Sequence, residues 1–226
     1  APPMRPMWVE FPGDEQTFDL DMQYMVGNSH LVAPVGDSGA TVLSVYFPAG
    51  IWYDVVDNSA VQGPGTASVN VPPEKIPVFQ REGSIVPRKE RVRRSSALMR
   101  DDPYTLIVAL DKDGNAAGDL YIDDEHTTGY KNNEYLYIQL KFSKNELSSS
   151  VVEPQSPTYS TKSWLERVVV LGLATPPTKV TLTLKGGKVV SLEGSYSAAR
   201  DGVASRLIIR KPDINIAQTY TIALHY

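Results

Sequence analysis

Apolar and polar positions alternate with a period near two along most of this chain, the spacing of half-buried strands. Thr41-Val42-Leu43-Ser44-Val45-Tyr46-Phe47 reads as a strand that stops at Pro48-Ala49-Gly50, and 51–55 restarts beyond it. This predicts a hairpin-like pair around a Pro/Gly turn. Further strands are predicted over 68–71, 76–80, 104–110, 118–122, 134–142, 146–152, 165–171, 179–184, 188–192, 204–209 and 220–224. Turn residues separate them at Asp113-Gly114-Asn115, Lys144-Asn145, Gly186-Gly187 and Pro212-Asp213. Such regular spacing predicts sandwich architecture with mostly antiparallel pairing. Only 16–25 follows a helical period, with Phe18, Met22 and Met25 on one face and Asp14 or Thr17 as cap. The run 4–11 is nearly continuous in apolar residues, which suits a strand buried on both faces in a parallel sheet. Alone it would leave its backbone groups unpaired, so it is expected to belong to a domain whose body lies elsewhere. A long polar loop is expected over 153–163.

Composition narrows the class of protein. The chain has 226 residues, 42% hydrophobic and 21% charged, enough for one large domain or two small ones. Lys+Arg number 22 against 26 Asp+Glu, a net charge of −4, which argues against nucleic acid as the default partner. With no Cys, thiol catalysis, zinc–thiolate sites and disulfide scaffolds are excluded together. No apolar run approaches the roughly 18–20 residues of a membrane span. The start, Ala1-Pro2-Pro3-Met4-Arg5-Pro6, lacks the features of a signal peptide and an initiator Met, and is read as an internal cut in a longer chain.

Several short strings invite a chemical reading. Gly36-Asp37-Ser38-Gly39 matches the nucleophile string of chymotrypsin-like proteases, but the only upstream His is His30 and Ala40 stands where another Gly is wanted. A polar turn is expected there instead. Asp111 opens a string like a calcium loop, yet its sixth and twelfth positions are Ala116 and Ile122, so a β-turn is expected. Asp123-Asp124-Glu125-His126 could hold a hard cation but reads better as a solvated loop, so no metal ligand is assigned. The stretch 88–94 carries five basic residues without an interleaved aromatic, and is expected to serve docking or structure by pairing with carboxylates of a neighbouring domain. Trp8, Phe11, Trp52 and Tyr53 could stack on sugar rings, although alternation puts Trp52 and Tyr53 on opposite faces. A glycosidase needs two carboxyl groups flanking the scissile bond. Of Glu10, Asp14, Glu15, Asp19 and Asp21, four fall in a turn or on the predicted helix, so no convincing catalytic pair is present.

Met4-Arg5-Pro6-Met7-Trp8-Val9-Glu10-Phe11-Pro12, Gln23-Tyr24-Met25-Val26-Gly27 and Leu31-Val32-Ala33-Pro34-Val35 resemble the end of the catalytic barrel in glycoside hydrolase family 31. Val45-Tyr46-Phe47-Pro48-Ala49-Gly50 with Trp52-Tyr53-Asp54, then 76–87, resemble the family's proximal β-domain, in order and at matching spacing. Val92-Arg93-Arg94-Ser95-Ser96, Asp101-Asp102-Pro103, the segment from Trp164 to Val170 and Arg210-Lys211-Pro212 resemble one branch of the family. In that branch a catalytic α subunit pairs with a non-catalytic β subunit in the endoplasmic-reticulum lumen. One departure is Arg81-Glu82-Gly83 where the family has Arg-Gly-Gly; Glu82 is expected at an exposed, tolerant position.

The resemblance implies a mainly all-β fold. It comprises the last strand and helix of a (β/α)8 barrel over 1–28, a proximal β-sandwich-like domain over 29–102 and a distal one over 103–226. It implies that the complete enzyme trims α-1,3-linked glucose from N-glycan precursors, with no cofactor. The alternative for this chain is a carbohydrate-binding β-domain, gripping glycan around 123–130 or Trp164, or a subunit-docking one through 88–94. Both catalytic carboxylates would lie upstream of Ala1, so this chain supplies none, and its partner is the catalytic part of the same enzyme. Trp8, Glu10 and Phe11 lie closest to where the family's pocket would be.

Overall fold

The computed structural model describes residues 2–152 and 159–226. The chain divides into two compact units, one formed by 1–84 with 199–204 and the other by 85–198 with 205–226. Among the described residues strands dominate, and helix is confined to single turns.

The first unit carries β1 (Met4–Pro6), α1 (Met7–Glu10), β2 (Tyr24–Val26), β3 (His30–Val32), β4 (Val42–Asp54), β5 (Ala60–Asn70) and β6 (Val78–Arg81). Its sheet runs β1-β2-β3-β6-β4-β5, and every pairing is antiparallel. The run 4–11 is therefore not a buried parallel strand. Met4–Pro6 pairs antiparallel with β2, and the chain then coils into one helical turn from Pro6, whose φ of −55° suits a helix start. The helix expected over 16–25 is also absent. Asp14 caps as predicted, accepting the Gln16 N–H at 3.2 Å, but the result is a 3-10 turn, Glu15–Thr17. The Thr17 hydroxyl donates back to the Asp14 carbonyl at 2.7 Å, closing that turn, and Tyr24 to Val26 is recruited by the sheet.

The hairpin expected at Pro48-Ala49-Gly50 is instead one bent strand. β4 runs through it, and its pairing with β5 slips between Phe47 and Gly50 as a bulge. Gly50 adopts φ +119°, and the Trp52 indole N–H donates to the Pro48 carbonyl at 2.8 Å, fixing the bend from within the core. Opposite the bulge stands Gly63, where any Cβ would overlap the Pro48 carbonyl oxygen. Met7, Met25, Leu31, Phe47, Trp52 and Phe79 form the centre of this unit's core.

The second unit contains β7 (Ser84–Arg88), β8 (Tyr104–Ala109), β9 (Ala116–Ile122), β10 (Leu136–Ser143), β11 (Glu146–Val151), β12 (Trp164–Leu171), β13 (Lys179–Leu184), β14 (Val189–Ser197), β15 (Arg206–Asn215) and β16 (Tyr220–His225). They pair in the order β10-β11-β16-β13-β14-β15-β12-β8-β7-β9, and the sheet closes on itself. From β9 through β10 and on to β12 the pairings are antiparallel as predicted, whereas β8 runs parallel to β12. All six residues of β8 are buried, as a strand covered on both faces requires. Lys144-Asn145 makes the predicted turn: both residues have positive φ (52° and 63°), the conformation of a two-residue hairpin whose twist matches its strands. Pro212-Asp213 is not a turn. It lies inside β15, flanked by positive φ at Lys211 and Asp213, and the strand continues. Of the polar loop expected over 153–163, residues 153–158 lie outside the described residues.

Candidate functional site

The single turn α1 fixes the three residues singled out from sequence, and it sends them in different directions. Trp8 is 50% exposed. Glu10 turns back to an ion pair with Arg5, whose Nε donates to the Pro2 carbonyl at 2.8 Å. Phe11 packs inward on Trp52, with ring centroids 6.0 Å apart, and the Arg81 guanidinium covers it at 4.6 Å. A cavity of about 590 Å³ opens beside α1, lined by Trp8 with Met4, Phe18, Leu20, Gln23 and Tyr24, and with the exposed Asp19 and Asp21 at its rim. Trp8 reaches this cavity; Glu10 and Phe11 do not line it.

A glycosidase acid must hold its proton at neutral pH, which requires a carboxyl pushed up. Among the described residues the carboxyls that move all move down. The Arg93 guanidinium lowers Asp102. The Thr127 hydroxyl and the Thr127 and His126 N–H groups hold Asp124 at about 2. Burial alone would raise Asp57, but hydrogen bonds from Ser59 and the Lys75 ammonium outweigh it. Tyr46 is pushed up to about 12 by burial and by its hydroxyl donating to Asp14 at 2.8 Å.

The other strings resolve into local structure. Gly36 to Gly39 forms a turn closed by the Ala40 N–H on the Asp37 carbonyl at 3.3 Å. The Asp111 carboxylate accepts the N–H groups of Asp113 (2.9 Å) and Asn115 (2.8 Å), capping the β-turn. No group of three His, Asp or Glu side chains among the described residues could hold a metal ion. In the basic stretch, Lys89 donates to the carbonyls of Met99 (2.9 Å) and Arg100 (2.8 Å), and burial lowers its pKa. Arg91 pairs with Glu166 at 2.8 Å and lies over the Trp164 ring at 5.3 Å. Arg93 grips Asp102 with two bonds of 2.9 and 2.6 Å. These partners belong to the same compact unit as the loop. Glu82 is half-buried rather than exposed, with one carboxylate oxygen enclosed and without a partner. The positive φ of its turn (+71°) falls on Gly83, so Glu82 is accommodated there without backbone strain.

The chain is thus all-β, in two units, with an apolar cavity beside a lone helical turn in the first. Residues 1–86 match the glycosyl hydrolase family 31 C-terminal domain, and the chain belongs to that family. It is 46% identical, over 99% of its length, to neutral alpha-glucosidase AB of Homo sapiens, of which it covers 23%. Among solved structures it is similar to the glucosidase II alpha subunit bound to alpha3-Glc2, with a TM-score of 0.92, 28% identity and coverage of 99% of this chain and 26% of that one. An ER glucosidase II heterodimer of catalytic subunit and regulatory-subunit binding domain is matched equally, again at TM-score 0.92, 28% identity and 99% and 26% coverage. The chain spans about a quarter of the length of the curated relatives it matches.

Proposed function

We propose that this chain is the non-catalytic C-terminal portion of a glucosidase II-type α-glucosidase. The complete enzyme would trim α-1,3-linked glucose from N-glycan precursors in the endoplasmic-reticulum lumen by a retaining, two-carboxyl mechanism. Its partners would be the catalytic remainder of the same enzyme and the non-catalytic glucosidase II β subunit. In this reading 1–28 is the C-terminal remnant of the catalytic barrel, 29–102 the proximal and 103–226 the distal C-terminal β-domain. Trp8, Glu10 and Phe11 stand nearest the substrate pocket, Trp8 by contact with the cavity and the other two by holding α1 in place.

The observation that carries this reading is an apolar surface with no cover. Met4, Trp8, Phe18 and Met22 are each 50–57% exposed on one short stretch of the first unit. Three of them, Met4, Trp8 and Phe18, line the cavity, and such a cluster calls for a covering surface. The three quarters of the relatives' length that this chain does not span is the natural source of it. The β-domains would then hold the late barrel loops and do no chemistry of their own. Assaying the isolated chain on a chromogenic α-glucoside tests this. No turnover above background is expected, and clear turnover in a preparation free of full enzyme would overturn it.

A further inference from the structure

The closed sheet of the second unit carries an aromatic surface that the supporting role does not use. In β10, Leu136, Ile138, Leu140 and Phe142 are buried at 4% exposure or less, so the alternate residues Tyr137 and Gln139 face outward. On the neighbouring β9 the register sets Tyr121 opposite Tyr137 and Asp119 opposite Gln139. An aromatic rung thus lies next to a polar rung on the outer face. Tyr135 stacks on Tyr121 at 5.3 Å and 28°, and Tyr137 tilts against it at 6.5 Å. The Tyr121 hydroxyl donates to Asp123 at 3.2 Å. Tyr121 remains 47% exposed, and Tyr130, on the following single helical turn, 45%.

We propose that this face, with Tyr121, Tyr130 and Tyr135 as its rings and Asp119 and Gln139 as its polar rung, is a binding platform for a pyranose unit of an oligosaccharide. It rests on the reading of the chain as part of a glycan-processing α-glucosidase. A pyranose has an apolar C–H face and a rim of hydroxyls. It needs flat apolar rings beside groups that donate and accept hydrogen bonds. Adjacent rungs on one face are about 7 Å apart, a distance one sugar ring and its hydroxyls can span. Neither Asp119 nor Gln139 is engaged in a side-chain hydrogen bond among the described residues, so both can serve hydroxyl groups. Contact within the row holds the rings in place before any ligand arrives, which lowers the ordering cost of weak binding.

The surface chemistry favours sugar over protein. A protein-docking patch has an apolar centre. Between Leu98 and Val189 in the sequence, however, the large apolar side chains exposed among the described residues are Tyr121 and Tyr130. Glucose and mannose units share the required chemistry, and the test separates them.

The experiment is an amide NMR titration of the 226-residue chain with the α-1,3-linked glucose disaccharide and, separately, with an α-1,2-linked mannose disaccharide. Saturable shifts centred on 119–123 and 135–139 are expected for at least one sugar, with a millimolar Kd. Tyr121→Ala should weaken that binding about tenfold. Tyr130→Ala, outside the sheet, and Gln139→Ala should weaken it too, and undisturbed amides elsewhere report that these variants are folded. Silence with both sugars, shifts centred elsewhere, or shifts unchanged in all three variants would overturn the platform. Such a failure leaves the supporting-domain reading standing, because that reading is judged by turnover, which the same samples report through product signals.

Discussion

Asp54 shows how much of a side chain's role is set by its neighbours. It is 2% exposed, pairs with Lys75 at 2.7 Å and accepts the Val56 N–H at 2.8 Å. In sequence it is the last letter of a Trp-Tyr-Asp string, and nothing along the chain links it to Lys75. Lys75→Met should leave a buried carboxylate without its cation and cost about 2 kcal/mol, measured by urea unfolding. The Lys75 pKa is raised by Asp54 and Asp57 against the lowering effect of burial. Its contribution is therefore complete below the ordinary lysine value and fades as pH rises through the higher folded value. Asp124 has the opposite sign. Its carboxyl sits at about 2, so its support of the 123–128 loop is present above the ordinary value near 3.9 and lost as pH falls through 2. The Thr127 amide shift should titrate with a midpoint of about 2, and a midpoint near 4 would contradict the Asp124 contacts.

At the scale of elements, alternation found most strands of the second unit, missed β2, β3, β7 and most of β5, and was a poor guide to where strands end. The strand read over 188–192 extends to Ser197, and the one read over 204–209 begins at Arg206 and runs to Asn215. Pro and Gly were read as stops at 48–50 and 212–213, yet both sites are irregularities inside strands. A bulge costs only one unpaired residue when neighbours on both sides continue the ladder. The spacing of Phe18, Met22 and Met25 imitated a helix, but Met25 alone is buried, while Phe18 and Met22 are 52% and 56% exposed. Close approach of strands leaves its own mark at Gly118, where a Cβ would overlap the Ile85 carbonyl oxygen. Gly118→Ala should therefore cost about 2–3 kcal/mol, read as a lower urea midpoint with an unchanged slope. An alanine at Gly114, whose added Cβ would meet nothing, tests backbone conformation alone, since its φ is +74°.

At the scale of the whole molecule there are two separate cores and an exposed apolar stretch around α1. The isolated chain should bind an apolar dye such as ANS at the surface around α1. Phe18→Ser with Met22→Ser should reduce that signal by more than half without lowering Tm, because neither side chain is in a core. Equal dye binding in the double variant would place the bare surface elsewhere.

The all-β class, most turns and the family resemblance were determined by sequence alone. They depend on local alternation, on turn residues and on the identity of short strings. Tertiary structure decided the rest: the closure of the second sheet, the parallel pairing of β8 with β12, the bend of β4 and the partners of Lys89, Arg91 and Arg93 within the same unit. It also set Tyr121 against Tyr135 and Tyr137, which lie 14 and 16 positions away in the sequence. Each of these is a pairing between distant residues. Register across strands, not order along the chain, chooses which of many compatible side chains meet.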